Sequence, residues 1–177
     1  MNEISADIRL ASVKGRPARL ERAAEPGELD AIAARLGVAR VERFELKAEL
    51  AVLPEGDVYL ARGDVSLVAE RTCVVTLEPF LEQTAVTFEE YFTTAPTKAT
   101  TEADAIDPDE TEIELLEDDR VEFGEIALQH AAMALNPYPR APEAPPAEPG
   151  EDLPIGPTPQ RPFAGLDSLL ANARRKE

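Results

Sequence analysis

The side chains with the widest chemical range in this chain are a single cysteine, Cys73, and a single histidine, His130. A thiolate beside an imidazole is a nucleophile with its base, yet neither residue has a local sequence that marks such a pair. One His and one Cys also fall short of the four ligands of a protein-only zinc site. Cys73 lies in an apolar, strand-like pattern and reads as a small buried hydrophobe. His130 lies in an apolar helical pattern and reads as a packed or boundary residue. Carboxylates are abundant, but no spacing singles out a catalytic pair. The nine glycines are scattered, and none forms a phosphate-cradling loop. The chain therefore reads as a non-enzyme without a cofactor or metal. The competing enzymatic reading, a hydrolase or nuclease using carboxylates and a divalent metal, requires a concave cluster of acids.

Eighteen basic against 35 acidic side chains give a net charge of −17 over 177 residues. That charge favours solubility and opposes broad contact with phosphate, which needs clustered Lys and Arg. A basic protein is the partner it suits. Direct RNA binding is the alternative, through Arg16, Arg19 and Arg22 or through Arg174, Arg175 and Lys176 near the C-terminus. One cysteine excludes an intramolecular disulfide framework. The opening MNEISADIRLASV lacks the regions of a signal peptide. With no apolar run near the roughly 18 residues of a membrane helix, the chain reads as cytoplasmic and without a membrane partner.

The elements follow from periodicity. Ile4, Ala6, Ile8 and Leu10 alternate with polar residues, a first strand, and Lys14-Gly15 is a turn. Arg16 to Arg22 is a second small strand. Pro26-Gly27 opens a helix whose Leu29, Ile32, Ala33 and Leu36 form one apolar face, closed by Gly37. Phe44, Leu46, Ala48, Leu50 and Val52 alternate with Glu45, Lys47 and Glu49, and Pro54 to Asp57 turns the chain back. On the return, apolar parity changes from Val58 and Leu60 to Val65, Leu67 and Ala69, which predicts a bulge or bend near Gly63. The strand pattern runs on to Cys73 and Val75, and Pro79 is expected to end it, with Phe80 returning to the core. Val86, Phe88 and Phe92 continue as a third strand of a meander spanning Val41 to Thr94.

Residues 96–109 read as a polar connection. Thr101 to Glu125 holds twelve acids and one base, Arg120, which is a solvated run or a docking surface for a basic protein. Ile113 and Leu115 fit a short strand inside it. Asp119 with Glu122 resembles a capping box, opening a helix to about Leu135 that is apolar over most of its circumference apart from Glu125 and Gln129. Eight prolines in residues 141–162 make a linker. Phe163, Leu166, Leu169 and Leu170 have helical spacing, with Arg174, Arg175 and Lys176 at the end. The fold class is α+β: an antiparallel meander, curled or barrel-like, with one helix in the N-terminal half and one largely buried helix. Residues 1–140 form the domain, 141–162 the linker and 163–177 a short amphipathic helix suited to docking.

Three segments, in order, resemble the YceD family of large ribosomal RNA subunit accumulation proteins. Arg71-Thr72-Cys73-Val74-Val75-Thr76-Leu77-Glu78-Pro79-Phe80 is similar to its central motif. Glu122-Phe123-Gly124-Glu125-Ile126 through Leu135, then Asn136-Pro137-Tyr138-Pro139-Arg140, resembles its acidic-Leu-Gly-Glu helix and Pro-Tyr-Pro-Arg exit. Pro162-Phe163-Ala164 with Leu166 and Leu169 is similar to its terminal element. Many members carry Cys-x-x-Cys in the central motif. Here Thr76 stands at the second position, as in a branch resembling that of alphaproteobacteria, and Gln129 replaces an acid common in the helix. The resemblance implies a non-enzymatic factor in the accumulation of 23S rRNA and in large-subunit assembly. It implies a ribosomal protein or pre-50S particle as partner, with 23S rRNA contact as a further possibility. The candidate binding or family-motif residues are Cys73, Thr76, Glu78, Pro79, Phe80, Asn136, Pro137, Tyr138, Pro139, Arg140, Phe163 and Leu166. Composition and spacing do not set the oligomeric state.

Overall fold

The structure, a computed structural model, describes residues 3–13, 15–54, 58–95 and 113–146. The described residues fall almost entirely in one compact unit, Met1–Ala144; of Pro145–Glu177 only residues 145 and 146 are described. The first unit runs β1 (Asp7–Arg9), a 3-10 turn (Leu10–Val13), β2 (Ala18–Ala23), α1 (Pro26–Leu36), β3 (Arg40–Val52), β4 (Val58–Thr72), β5 (Pro79–Thr93), β6 (Ile113–Leu115), β7 (Arg120–Glu122) and α2 (Phe123–Ala134). Among the described residues, a sheet in the order β2-β3-β4-β5-β6 is open rather than closed into a barrel. Its pairs are antiparallel except β5 with β6.

One face of this sheet is apolar because β3 places Phe44, Leu46, Ala48 and Leu50 on it, with Ala61, Val65, Leu67 and Ala69 from β4 and Phe88 and Phe92 from β5. Ile32 and Ala33 of α1, Ile4 and Ala6 of the segment before β1, Ile8 of β1, and Phe123, Ile126, Ala127, Leu128 and Ala131 of α2 close over it. Burying an aromatic side chain such as Phe44 or Phe123 contributes about 2–3 kcal/mol. The alternation read for Ile4 to Leu10 holds, although only Asp7–Arg9 forms a ladder, with β7 as its partner. In α1, Glu25 and Glu28 form the capping box, and Gly37 closes the helix at φ 65°, where a Cβ would be strained.

Several expectations are corrected. No bulge lies near Gly63: β4 pairs with β3 and β5 in unbroken register there. Leu60 and Val65 lie five residues apart on that ladder and so face opposite sides. The inward row is Ala61, Gly63, Val65, Leu67, Ala69, and its first two members are too small to register as an apolar pattern. Gly63 has no room for a side chain, since a Cβ would lie 2.6 Å from the Phe88 ring and 2.5 Å from the Lys47 carbonyl. The irregularity sits in β3 instead, between Val41 and Arg43, and lets both Val41 and Phe44 face inward.

The second helix begins at Phe123, not Asp119, because Arg120–Glu122 pairs with β1 and delivers Val121 to the core. Its last turn is exposed at Ala132, Met133 and Ala134, and only Ala131 of that turn is buried. Pro79 opens β5 rather than ending β4, which stops at Thr72. As the first residue of a strand it needs no ladder N–H. Phe80 is half-buried and stands outside the buried core. The expected connections at Lys14, 55–57 and 96–109, most of the proline-rich linker, and the C-terminal helical segment with Phe163 and Leu166 lie outside the described residues.

Candidate interaction surface

The connection between β4 and β5 is a closed six-residue turn, Cys73 to Glu78. The Cys73 N–H donates to the Glu78 carbonyl at 2.9 Å, and the Leu77 N–H donates to the Cys73 carbonyl at 2.9 Å. Closing the loop so tightly puts Leu77 at φ 60°, a left-handed conformation that costs a non-glycine residue about 1–2 kcal/mol. Cys73 is fully buried. Its sulfur accepts from the Thr76 N–H at 3.5 Å. The Thr76 side chain, followed by the backbone N–H groups of Thr76, Ala141 and Val75, holds the thiol down to about 6 from its ordinary 9.0. Thr76 thus supplies donors to the single cysteine through both its side chain and its backbone.

The same turn is fastened to the segment leaving α2. The Val74 N–H donates to the carbonyl of Pro139, which is buried, at 2.9 Å. Arg71, the penultimate residue of β4, donates to the Asn136 carbonyl at 2.9 Å and to Glu82 of β5 at 3.0 Å. Asn136 in turn accepts from the Tyr138 N–H through its side-chain oxygen at 2.9 Å. The two segments nominated from sequence, Cys73 to Phe80 and Asn136 to Arg140, are thus one structural unit, with Arg71 as the link.

This unit presents a group of apolar side chains outward. Leu77 is 76% exposed and Tyr138 73%, and Val74, Val75 and Leu81 are exposed with them. Glu78, Pro79, Asn136, Pro137 and Arg140 are also exposed. Isolated exposed apolar residues are ordinary, but several on one tight turn mark an interaction site. Sequence reasoning named Cys73, which is buried, and Thr76, which is exposed, and missed Val74, Val75 and Leu77, which face outward. The signal was the turn itself: six residues cannot keep a strand alternation and also close a loop.

His130 is a packed residue. It bonds Glu90 at 2.7 Å and stacks on Phe88 with ring centroids 5.1 Å apart. Among the described residues no group of three His, Cys, Asp or Glu side chains is placed to hold a metal ion.

The polar face of the sheet carries a charge ladder across four strands, Arg19–Glu49–Arg62–Glu89, around a shallow concavity of about 650 Å³. Glu49 accepts from Arg19 at 2.6 Å and from Arg62 at 3.1 Å, and these two guanidinium groups hold its carboxyl below the usual range. Arg22 is held by Glu28 at 2.9 Å. Of the basic residues at the start of the chain that suggested RNA contact, Arg19 and Arg22 are therefore engaged by carboxylates.

The family model described as large ribosomal RNA subunit accumulation protein YceD matches residues 61–170, more than half of the chain. The protein belongs to this family. No curated protein and no solved structure matches the chain. The matched span of the YceD protein starts within β4 and takes in the Cys73 turn, α2 and the Asn136–Arg140 exit. Among the described residues no helix is long and apolar enough to cross a membrane.

Proposed function

We propose that this YceD-family protein is a non-enzymatic, cytoplasmic assembly factor that supports accumulation of 23S rRNA by binding a basic large-subunit ribosomal protein or a pre-50S particle. The family name ties the chain to large-subunit RNA. The observation that carries the binding reading is the apolar tip formed where the Cys73 turn is pinned to the Asn136–Arg140 exit, on a chain of net charge −17. An apolar anchor within a strongly acidic protein suits a basic protein surface: burial supplies affinity, and charge supplies steering and choice of partner. Direct RNA binding is weakened by the engagement of Arg19 and Arg22 with Glu49 and Glu28. The nuclease reading needs a concave carboxylate cluster, and Glu49, beside the concavity of the sheet, is instead held by Arg19 and Arg62.

The test is co-sedimentation of the tagged chain on a gradient at moderate salt, together with rRNA quantification after gene deletion. The chain should travel with pre-50S fractions, and 23S rRNA should fall relative to 16S. Replacing the tip with Leu77→Asn and Tyr138→Ser should shift the chain to the top of the gradient without unfolding it. Absence of the wild type from every ribosomal fraction, with unchanged 23S rRNA, overturns the proposal.

A further inference from the structure

We propose that the outer edge of β5, from Leu81 to Glu89, is a strand-addition site for an extended, lysine- and arginine-rich protein segment. β4 pairs with β5 along its whole length, from Pro79 to Thr93, while β6 covers only Tyr91 to Thr93 on the other side. The Leu116 N–H donates to the Thr93 carbonyl at 2.8 Å, so Thr93 directs its backbone groups to the β6 side. Alternate residues of a strand share that direction. Leu81, Gln83, Ala85, Thr87 and Glu89 therefore turn both N–H and C=O outward. Among the described residues no backbone group pairs with them there.

Open edges in stable proteins are ordinarily guarded by lysines, prolines, bulges or short length. β5 has fifteen residues, no lysine, no proline after Pro79 and no register shift against β4. The opposite edge of the sheet is guarded: β2 has six residues and carries Arg19, Glu21 and Arg22. An edge left bare on one side only is what strand addition uses, with main-chain bonds giving affinity and flanking side chains giving choice.

Charge decides the occupant. No Lys or Arg lies between Thr72 and Thr97. Glu82 is offset by Arg71, which leaves exposed Glu78 and Glu89 bracketing an uncharged stretch. Glu89 accepts from the Tyr91 hydroxyl at 2.6 Å and keeps the Tyr91 pKa raised. A second copy of this chain would bring −17 against −17, whereas a basic segment is attracted along the same path. Leu81, at the start of the edge, is also part of the apolar tip, so an incoming strand would run directly off that anchor. This inference rests on the proposed function and names the kind of segment the surface takes.

The experiment uses the full chain and three synthetic probes: an alternating Lys-Val peptide, its Glu-Val counterpart, and the Lys-Val peptide N-methylated at every amide. The Lys-Val peptide should slow hydrogen exchange about tenfold or more at the amides of residues 81, 83, 85, 87 and 89, reporting their closed population. Its affinity should fall as salt rises. Ala85→Pro removes an outward N–H without touching the β4 ladder, and Ala85→Lys adds a guarding charge while keeping the N–H. Each should weaken binding about tenfold, or ~1.4 kcal/mol. Equal protection by the Glu-Val or N-methylated probe overturns the inference, as does binding that survives both Ala85 variants. So does concentration-dependent protection of the chain alone that strengthens with salt, the signature of a second copy. Should Ala85→Pro still co-sediment with pre-50S particles, the edge is not the contact while the proposed function stands. Should the wild type fail to co-sediment, that function itself fails.

Discussion

Arg71 ties three parts of the chain together, so Arg71→Met should cost far more than a surface ion pair. The substitution keeps the apolar stem and deletes the guanidinium that bonds Glu82 and the Asn136 carbonyl. The pair is shielded, with side chains 13% and 19% exposed. An exposed pair is worth about 0–1 kcal/mol, and breaking a fully buried one costs about 3–5 kcal/mol, so an intermediate site loses about 2 kcal/mol. The Asn136 carbonyl, which water can reach, loses a charged donor for about 1 kcal/mol more. A total of about 3 kcal/mol lowers Tm by about 10 °C for a unit of this size. Calorimetry reads the shift, and a double-mutant cycle with Glu82→Gln should return a coupling of about 1.5–2 kcal/mol. A second readout is chemical. Once the exit loosens, the Ala141 N–H no longer supports the Cys73 sulfur, and the thiol pKa should rise from about 6. A Tm change under about 3 °C with coupling under about 0.5 kcal/mol would refute the role of Arg71 as the link.

Gly124→Ala should destabilise by about 3 kcal/mol despite alanine's better helix propensity, read from a denaturant midpoint. A Cβ there would lie 2.2 Å from the Ile4 carbonyl, on backbone that also carries the Gly124 N–H bond to Ala6 at 3.0 Å. Thr76→Val should raise the Cys73 pKa from about 6 toward 9.0, measured by ultraviolet thiolate absorbance of the single cysteine. Because the folded value lies below the unfolded one, the thiolate's contribution is complete above pH 9.0 and is lost as pH falls through about 6. The Thr76→Val protein should show a flatter stability profile across that window.

Much of the sheet was legible in the sequence because burial of one face imposes a period of two. Phe44 to Leu50 and the meander of β3, β4 and β5 follow from it, as does the short strand at Ile113 and Leu115. The first helix, with Gly37 at its end, followed from an apolar stripe and a backbone conformation that glycine adopts freely. The parity argument failed at Gly63 because it weighs side chains by hydrophobicity, and a position can face inward while nearly empty. What Gly63 makes room for is Phe88, in a strand whose register the local sequence does not encode. The start of α2 failed for a related reason. Asp119 to Glu122 has a fair local capping pattern, but pairing with Asp7–Arg9 buries Val121 and wins.

The candidate surface divides in the same way. By itself the sequence determined the family, the acidic charge and the strand pattern, because each depends on neighbours along the chain. Only the tertiary structure decided that Cys73 faces inward while Thr76, Leu77 and Tyr138 face outward. It alone joined Arg71 to Asn136 across 65 positions. Among the described residues it also left the outer edge of β5 from Leu81 to Glu89 without a partner strand, since a strand's second neighbour is set by where distant segments come to rest. Periodicity shows which side of a strand is dry, but the closing of loops between remote segments decides what stands beside it.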